Sequence, residues 1–122
     1  MVAERRTFGD LGERLAAHHL QAKGYRIIAR NWRRMEGEID IIAEDGETLA
    51  FVEVKSRRGT AMGTASEAIS SAKAMRLVQL AELYAEEHAP EAALRIDLVA
   101  IDFAPDGRLL SLKHYENAIT GD

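Results

Sequence analysis

Three short segments rich in aromatic and branched residues follow one another between residues 25 and 55, and they constrain the fold more than any other sequence feature. Tyr25–Trp32, Glu38–Glu44 and Thr48–Lys55 each have the length of a strand and are separated by short polar segments. The second separation contains Asp45-Gly46, a pair that tolerates the positive φ of a tight hairpin turn. The sequence therefore predicts three consecutive strands, of which the second and third are hydrogen-bonded neighbours.

Helical patterns precede and follow these strands. Residues 9–23 carry apolar side chains at helical spacing, and Gly24 is well placed to end that helix. After the third strand, residues 56–65 are small and polar and predict a loop. Residues 66–88 repeat apolar side chains with the period of a long helix. The three strands are therefore expected to lie between two helices in the chain.

The last third of the chain predicts two more strands. Residues 95–103 and 108–115 are joined by Pro105-Asp106-Gly107, a tripeptide with typical turn chemistry. The whole order is then α-β-β-β-α-β-β, in which a helical crossover follows a hairpin-linked set of strands. Such an order predicts an α/β fold with a central mixed β-sheet flanked by helices.

Chain length and composition predict a single intracellular domain. The 122 residues suffice for one hydrophobic core, so we expect one domain over residues 1–122, with flexible ends at 1–7 and 118–122. The sequence contains no cysteine, which favours a reducing compartment and excludes a thiolate zinc site. No apolar segment suits a signal peptide or a membrane span. We therefore expect a cytoplasmic protein without a membrane partner.

Positive charge is segregated although the chain as a whole is acidic. The net charge of −4 argues against a protein that coats nucleic acid by charge alone. Residues 23–34 nevertheless contain basic side chains and no acidic one, and Trp32 among them either stacks on a base or anchors the core. This basic surface predicts contacts with nucleic-acid phosphates, with an ordinary solvated surface as the alternative. The residues predicted to make these contacts are Arg30, Arg33, Arg34, Arg57 and Arg58.

Charged residues also occur in strand segments that otherwise have the composition of a core. Because alternate residues of a strand face the same side, Glu53 and Lys55 are expected to share one face of the third strand. By the same rule, Asp40 faces away from Ile39 and Ile41 on the second strand. The hairpin between these strands is expected to bring Asp40 close to Glu53.

Two carboxylates so close together require a compensating positive charge. A divalent cation that prefers oxygen ligands, Mg²⁺ or Mn²⁺, can provide it, and Lys55 adds a positive group on the same face. Phosphodiester hydrolysis needs these groups because water must be activated and charge on the phosphate must be offset. The alternative is that Asp40 and Glu53 are ordinary residues on a solvent-facing side of the strands.

Two helical positions are further candidates. Lys73 and Arg76 fall within the apolar stripe of the second helix, where a basic group needs a carboxylate or phosphate partner unless it reaches water from the stripe's edge. Glu13 heads an apolar stripe of the first helix and either approaches the metal pair or is an acid favoured by the helix dipole. The four histidines lack ligand-spaced partners, which predicts surface or boundary positions.

Several short motifs together resemble the YraN-like family of bacterial proteins over about Phe8 to Ile119. That family is similar to the PD-(D/E)xK nuclease superfamily, which includes archaeal Holliday-junction resolvases and RecB-type nuclease domains. In one respect the chain departs from the superfamily pattern, since Ile39 and not proline precedes Asp40. The motifs are Gly9-x-x-Gly12-Glu13, Asn31-Trp32-Arg33, Gly37-Glu38-Ile39-Asp40, Phe51-Val52-Glu53-Val54-Lys55 and Asn117-Ala118.

The resemblance implies a restriction-endonuclease-like fold and a metal-dependent endonuclease that hydrolyses DNA at branched or single-stranded structures. It implies Mg²⁺ or Mn²⁺ held by Asp40 and Glu53, with Glu13 as an accessory acidic ligand. Lys55 is the catalytic lysine implied at the matching position, and Lys73 lies where the superfamily often carries a further polar site residue. Resolvase-like relatives also imply a homodimer. The alternative is a nucleic-acid-binding module that keeps the fold without catalysing.

Overall fold

The computed structural model describes residues 7–59 and 70–118, which form one five-stranded sheet with a helix on each face. The elements in chain order are α1 (Thr7–Ala22), β1 (Arg26–Arg34), β2 (Gly37–Asp45), β3 (Thr48–Arg58), α2 (Ser71–His88), β4 (Ala93–Phe103) and β5 (Leu109–Tyr115). The strands lie side by side in sequence order, and the β3–β4 pair is parallel while the other pairs are antiparallel. The predicted order α-β-β-β-α-β-β and the central mixed sheet are confirmed.

Turn chemistry and strand direction explain the connections. Asp45 pairs with Thr48 across the β2–β3 turn, where Gly46 has a φ of 63° that suits a two-residue hairpin. The parallel pairing of β3 with β4 requires a long crossover, and α2 lies within it. A tight turn joins β4 to β5, with the Ala104 amide donating to the Arg108 carbonyl.

The hydrophobic core lies on both faces of the sheet. On one face Leu20 of α1 packs in a cluster with Val52, and on the other Leu77 of α2 packs in a cluster with Phe51. Phe51 and Val52 are consecutive and both fully buried, so β3 is covered on both sides. A charged side chain in this part of β3 is therefore forced into an apolar environment, and the next residue is Glu53.

Several predicted boundaries are corrected by strand pairing and helix capping. β1 continues through Arg34, so the predicted turn shortens to Met35-Glu36. β3 continues through Arg58 beside Phe103, so residues 56–58 belong to the strand and not to the predicted loop. The second helix begins at Ser71, because the Ser70 side chain accepts a hydrogen bond from the Lys73 amide and caps it. The rest of that predicted boundary, at residues 66–69, lies outside the described residues.

The predicted side-chain alternation along β2 fails at Asp40. Ile39 packs with Ile42 on the α2 side, whereas Ile41 packs on the α1 side, so Ile39 and Ile41 do not share a face. Asn31, which lies between the strand pairs Arg30–Ile41 and Trp32–Ile39, has a φ of 56°. Asp40 lies opposite this left-handed residue, so the irregularity of β1 and the change of face in β2 occur at the same point of the strand pair.

Of the predicted flexible ends, only residues 7 and 118 are among the described residues. Thr7 already belongs to α1, and the Ala118 amide donates to the Ile96 carbonyl. The remaining residues of these ends lie outside the described ranges. In the part of the chain that the structure describes, no helix is long and apolar enough to cross a membrane.

Candidate active site

The candidate site lies where β2 and β3 separate. Their pairing runs from the hairpin turn as far as Ile41 and Val52, and Asp40 is the next residue of β2 beyond it. The Asp40 side chain occupies the gap between the strands, where its Oδ2 atom accepts a hydrogen bond of 2.8 Å from the Val54 amide. A carboxylate thus satisfies a β3 amide where main-chain pairing with β2 has ended.

Glu53 lies beside this gap on the α2 side and is only 3% exposed. Its Oε2 atom is 2.7 Å from the Lys73 Nζ atom, which reaches down from α2. Asp40, Glu53 and Lys73 line one cavity of about 150 Å³, whose wall is completed in part by Leu77 and Leu80. The structure therefore brings Asp40, Glu53 and Lys73 together, as the sequence predicted from separate arguments.

Burial and neighbouring negative charge raise the pKa of Asp40 from 3.8 to about 7. Burial is the largest cause, and the Glu53 carboxylate adds to it. The hydrogen bond from the Val54 amide opposes this rise because it stabilises the ionised form. Glu13 and Glu38 raise the pKa further by their charge. Asp40 is thus at the centre of a group of carboxylates that a cation would stabilise.

Glu13 approaches Asp40 from the α1 side of the sheet. Gly12 allows α1 to approach β3 closely, since a Cβ atom there would overlap the Ser56 hydroxyl. Glu13 and Asp40 line a shared open groove, and Arg30 lies 3.4 Å from the Glu13 carboxylate. Over residues 7–59 and 70–118, no three carboxylate or imidazole side chains converge closely enough to enclose a metal ion. Glu13 is therefore near the Asp40–Glu53 pair without joining it in one ligand cluster.

Lys55 follows Glu53 by two residues on a regular stretch of β3. The pairing with β4 continues without a break from Thr48 to Arg58, so Glu53 and Lys55 lie on the same face of the sheet. The Lys55 side chain is half-buried, and within the described ranges no carboxylate lies at ion-pair distance from it. Its predicted catalytic role stays a prediction.

The predicted nucleic-acid contacts remain untested, but most of these arginines have partners within the protein. Arg33 lies 3.4 Å from Glu38, and Arg34 lies 3.0 Å from Glu87. Arg58 donates to the Pro105 carbonyl, and Arg57 lies on the β3 face that carries Glu53 and Lys55.

Trp32 contributes to the core of the α2 side. Its ring lies 5.3 Å from that of Tyr84 in an edge-to-face arrangement and packs against the buried cluster on that side. The Arg34 guanidinium also contacts the Trp32 ring, at 4.4 Å from its centre. Of the two alternatives for Trp32, the structure favours the core anchor.

Sequence reasoning missed a buried polar cluster around Asp97, in the middle of β4. Asp97 is fully buried and accepts hydrogen bonds from Arg95 and from the Asn117 amide, and its Oδ2 atom lies 2.8 Å from His114 Nε2. The side chain of His114 is only 1% exposed although the residue as a whole is partly exposed, so of the predicted surface and boundary positions the structure excludes the surface one. The signal was a charged residue within the apolar segment from Ile96 to Phe103, the same signal that identified Glu53.

Comparison with known proteins identifies the family. The model of uncharacterised protein family UPF0102 matches residues 12–101, a span that includes every predicted catalytic position. A UPF0102 protein of Symbiobacterium thermophilum is 52% identical over 105 residues, covering 85% of this chain and 89% of the relative. One from Nocardia farcinica is 44% identical over 108 residues, covering 88% of this chain and 85% of the relative. One from Pelotomaculum thermopropionicum is 40% identical over 119 residues, covering 97% and 99%. The chain therefore belongs to uncharacterised protein family UPF0102, the YraN-like family that its motifs indicate.

Proposed function

We propose that this protein is a metal-dependent endonuclease that hydrolyses DNA phosphodiester bonds. The observation that carries the proposal is the position of Asp40, whose half-buried carboxylate lies beside the buried Glu53 carboxylate at the point where β2 and β3 separate. Two acidic groups in one small cavity are unfavourable for folding. Such an arrangement is expected where a function requires it.

The donor set fits Mg²⁺ or Mn²⁺. Asp40 and Glu53 would hold the ion, with Glu13 as an accessory acidic group on the α1 side. Mg²⁺ commonly takes one or two carboxylates together with water and substrate phosphate, so a complete protein cage is not required. The raised pKa of Asp40 supports this assignment, since a cation beside it would favour the ionised carboxylate. When bound, the ion would offset negative charge on the phosphate and activate water.

The lysines supply the remaining chemistry of the proposed reaction. Lys55, on the same face as Glu53, orients the attacking water and stabilises the charge that develops on the phosphate oxygens. Lys73 holds the Glu53 carboxylate in place from α2. Water attacks phosphorus, the bond from phosphorus to the leaving sugar oxygen breaks, and that oxygen takes up a proton. Branched or single-stranded DNA is the proposed substrate, and cleavage of both strands of a branch would suit a homodimer.

Cleavage assays with purified protein test the proposal. We expect cleavage of labelled single-stranded or branched DNA with Mg²⁺ or Mn²⁺ and none with excess chelator. Asp40→Asn and Glu53→Gln should abolish it, and Lys55→Met should lower the rate by about 10²-fold or more. Glu44→Gln is the matched control, since Glu44 is also on β2 but pairs with Arg26 away from the cavity.

Two outcomes would reject the nuclease proposal. One is an intact DNA panel under all metal conditions, and the other is equal cleavage by the wild type and by Asp40→Asn. DNA binding whose affinity falls with salt but is unchanged by metal and by Asp40→Asn would support the non-catalytic alternative.

A further inference from the structure

Arg76 is a charged residue on the core-facing side of α2. Lys73, Arg76, Leu77 and Leu80 have the spacing of a single helical face, and both leucines are buried. Arg76 lines the same cavity as Asp40, yet its side chain is exposed. The guanidinium is therefore at the mouth of this cavity and not within the core.

Gly37 leaves room for the Arg76 side chain beside the cavity. A Cβ atom at Gly37 would lie 3.3 Å from Arg76 Cδ and 3.4 Å from Leu80 Cδ1. Gly37 also has a φ of 148°, which side-chain-bearing residues rarely adopt. The alkyl part of Arg76 thus packs closely beside Gly37, where both the close approach and the positive φ favour glycine.

Arg76 differs from three arginines of β1 in having no counter-ion among the described residues. Arg30, Arg33 and Arg34 each lie within ion-pair distance of a carboxylate. Within residues 7–59 and 70–118, no carboxylate lies that close to Arg76, although Glu53 lines the same cavity and pairs with Lys73. With respect to the described carboxylates, the Arg76 guanidinium is therefore available to a group that enters from solvent.

The charge of the cavity indicates which group that is. A phosphodiester that approaches Asp40 and Glu53 is repelled by their carboxylates, and cations at the mouth reduce this repulsion in addition to the proposed metal ion. A guanidinium matches two phosphate oxygens with a planar pair of donors, and an ammonium adds a point charge. We propose that Arg76, together with Lys73, forms a phosphate-binding subsite for the DNA backbone at this cavity. This inference rests on the proposed function and names a substrate contact within it.

The test compares Arg76→Met with Arg14→Met. Methionine keeps the apolar stem that packs beside Gly37 and removes the charge. Arg14 is an exposed arginine of α1 that lines neither the cavity nor the groove. Its variant therefore controls for the loss of one positive charge. Binding is measured by fluorescence anisotropy with labelled single-stranded DNA, over a series of salt concentrations, with Ca²⁺ replacing Mg²⁺ to prevent cleavage.

We expect Arg76→Met to bind this DNA about tenfold more weakly at low salt. The slope of log K against log salt should become shallower by about 0.7, the value for one phosphate contact on a single strand. Arg14→Met should match the wild type in slope, Arg76→Lys should recover part of the affinity, and thermal unfolding of Arg76→Met should be unchanged. Equal binding by wild type and Arg76→Met, equal losses in both methionine variants, or no binding by the wild type would overturn the subsite.

A parallel cleavage assay with Mg²⁺ separates this inference from the proposed function. Wild-type protein that binds DNA through Arg76 but cleaves nothing would reject the nuclease and support the subsite. Wild-type protein that cleaves, with the same KM as Arg76→Met, would reject the subsite and support the nuclease.

Discussion

The surroundings of Asp40 make its ionised form unfavourable for the stability of the folded protein. Its side chain replaces strand pairing by accepting from the Val54 amide, but burial and the Glu53 carboxylate disfavour its ionised form. The folded chain therefore retains a proton on Asp40 at pH values where the unfolded chain has released it. This difference makes the stability of the metal-free protein depend on pH in a defined direction.

We expect Asp40→Asn to stabilise the metal-free protein at neutral pH. The folded-state pKa of Asp40 is raised from 3.8 to about 7, so stability falls as pH rises between these values and is constant above them. The variant's advantage in free energy of unfolding should grow from near zero at about pH 4 to on the order of 4 kcal/mol above pH 7. Urea denaturation across this range measures it, and an advantage that shrinks with rising pH would contradict this account.

In the metal-free protein, Lys73 is the cation that compensates the negative charge of Glu53. Because its ammonium lies 2.7 Å from the buried carboxylate, Lys73→Met should destabilise the metal-free protein by about 2 kcal/mol. Mg²⁺ should then raise the Tm of the variant more than that of the wild type, since the ion compensates the unpaired carboxylate. Lys113→Met, on an exposed position of β5, is the control. Equal Mg²⁺ responses in all three proteins would refute the compensation.

At the scale of elements, the cluster around Asp97 joins the last two strands to the rest of the sheet. Arg95 and Asp97 belong to β4 and His114 to β5, and Arg95 also contacts Tyr25 ahead of β1. Burial alone would raise the pKa of Asp97, but the hydrogen bonds that it accepts bring it to about 2. The cluster therefore contributes stability that depends on an ionised Asp97.

We expect Asp97→Ala to destabilise the protein by about 3 kcal/mol at neutral pH, because it leaves buried partners unpaired. Since the folded-state pKa is lowered from 3.8 to about 2, this contribution is complete above pH 4 and is lost as pH falls through that window. Asp102→Ala, on the same strand and bonded to Ser111 at 3.4 Å, should cost less than about 1 kcal/mol. Denaturant unfolding measures the loss of stability in each variant. Equal losses in the two variants would contradict a special role for Asp97.

The elements differ in how far sequence could predict them. The order of helices and strands follows from local periodicity and turn residues, and the Asp45-Gly46 turn fixes the β2–β3 pairing. The length of β3 was not predictable from its own residues, because pairing with β4 extends the strand through Arg58. The alternation in β2 failed for a similar reason, since it changes where Asn31 of the neighbouring strand is left-handed.

The same distinction applies to the site. Glu53 was identifiable as a charge within an apolar strand, and Lys73 as a charge within an apolar helix stripe. The contact between them depends on how α2 packs against the sheet, which no local pattern contains. The role of Asp40 as acceptor for the Val54 amide likewise depends on where β2 and β3 separate.

On the scale of the whole molecule, the site is a consequence of the three-layer arrangement. α1 and α2 cover opposite faces of the sheet, and the gap between β2 and β3 is bordered by both a cavity and a groove. Asp40 lines both of these spaces, Glu53 lines only the cavity and Glu13 only the groove. Residues distant in sequence thus meet at one opening in the sheet.

The most direct test of the central claim is a calorimetric titration of Mn²⁺ into the wild type, Asp40→Asn and Glu44→Gln at pH 8, above the pKa of Asp40. We expect Mn²⁺ binding by the wild type and by Glu44→Gln with similar affinity. Binding by Asp40→Asn should be at least about tenfold weaker, because a ligand that carries the charge is lost. Absence of binding to the wild type, or equal affinity in all three proteins, would contradict a metal site at Asp40 and Glu53.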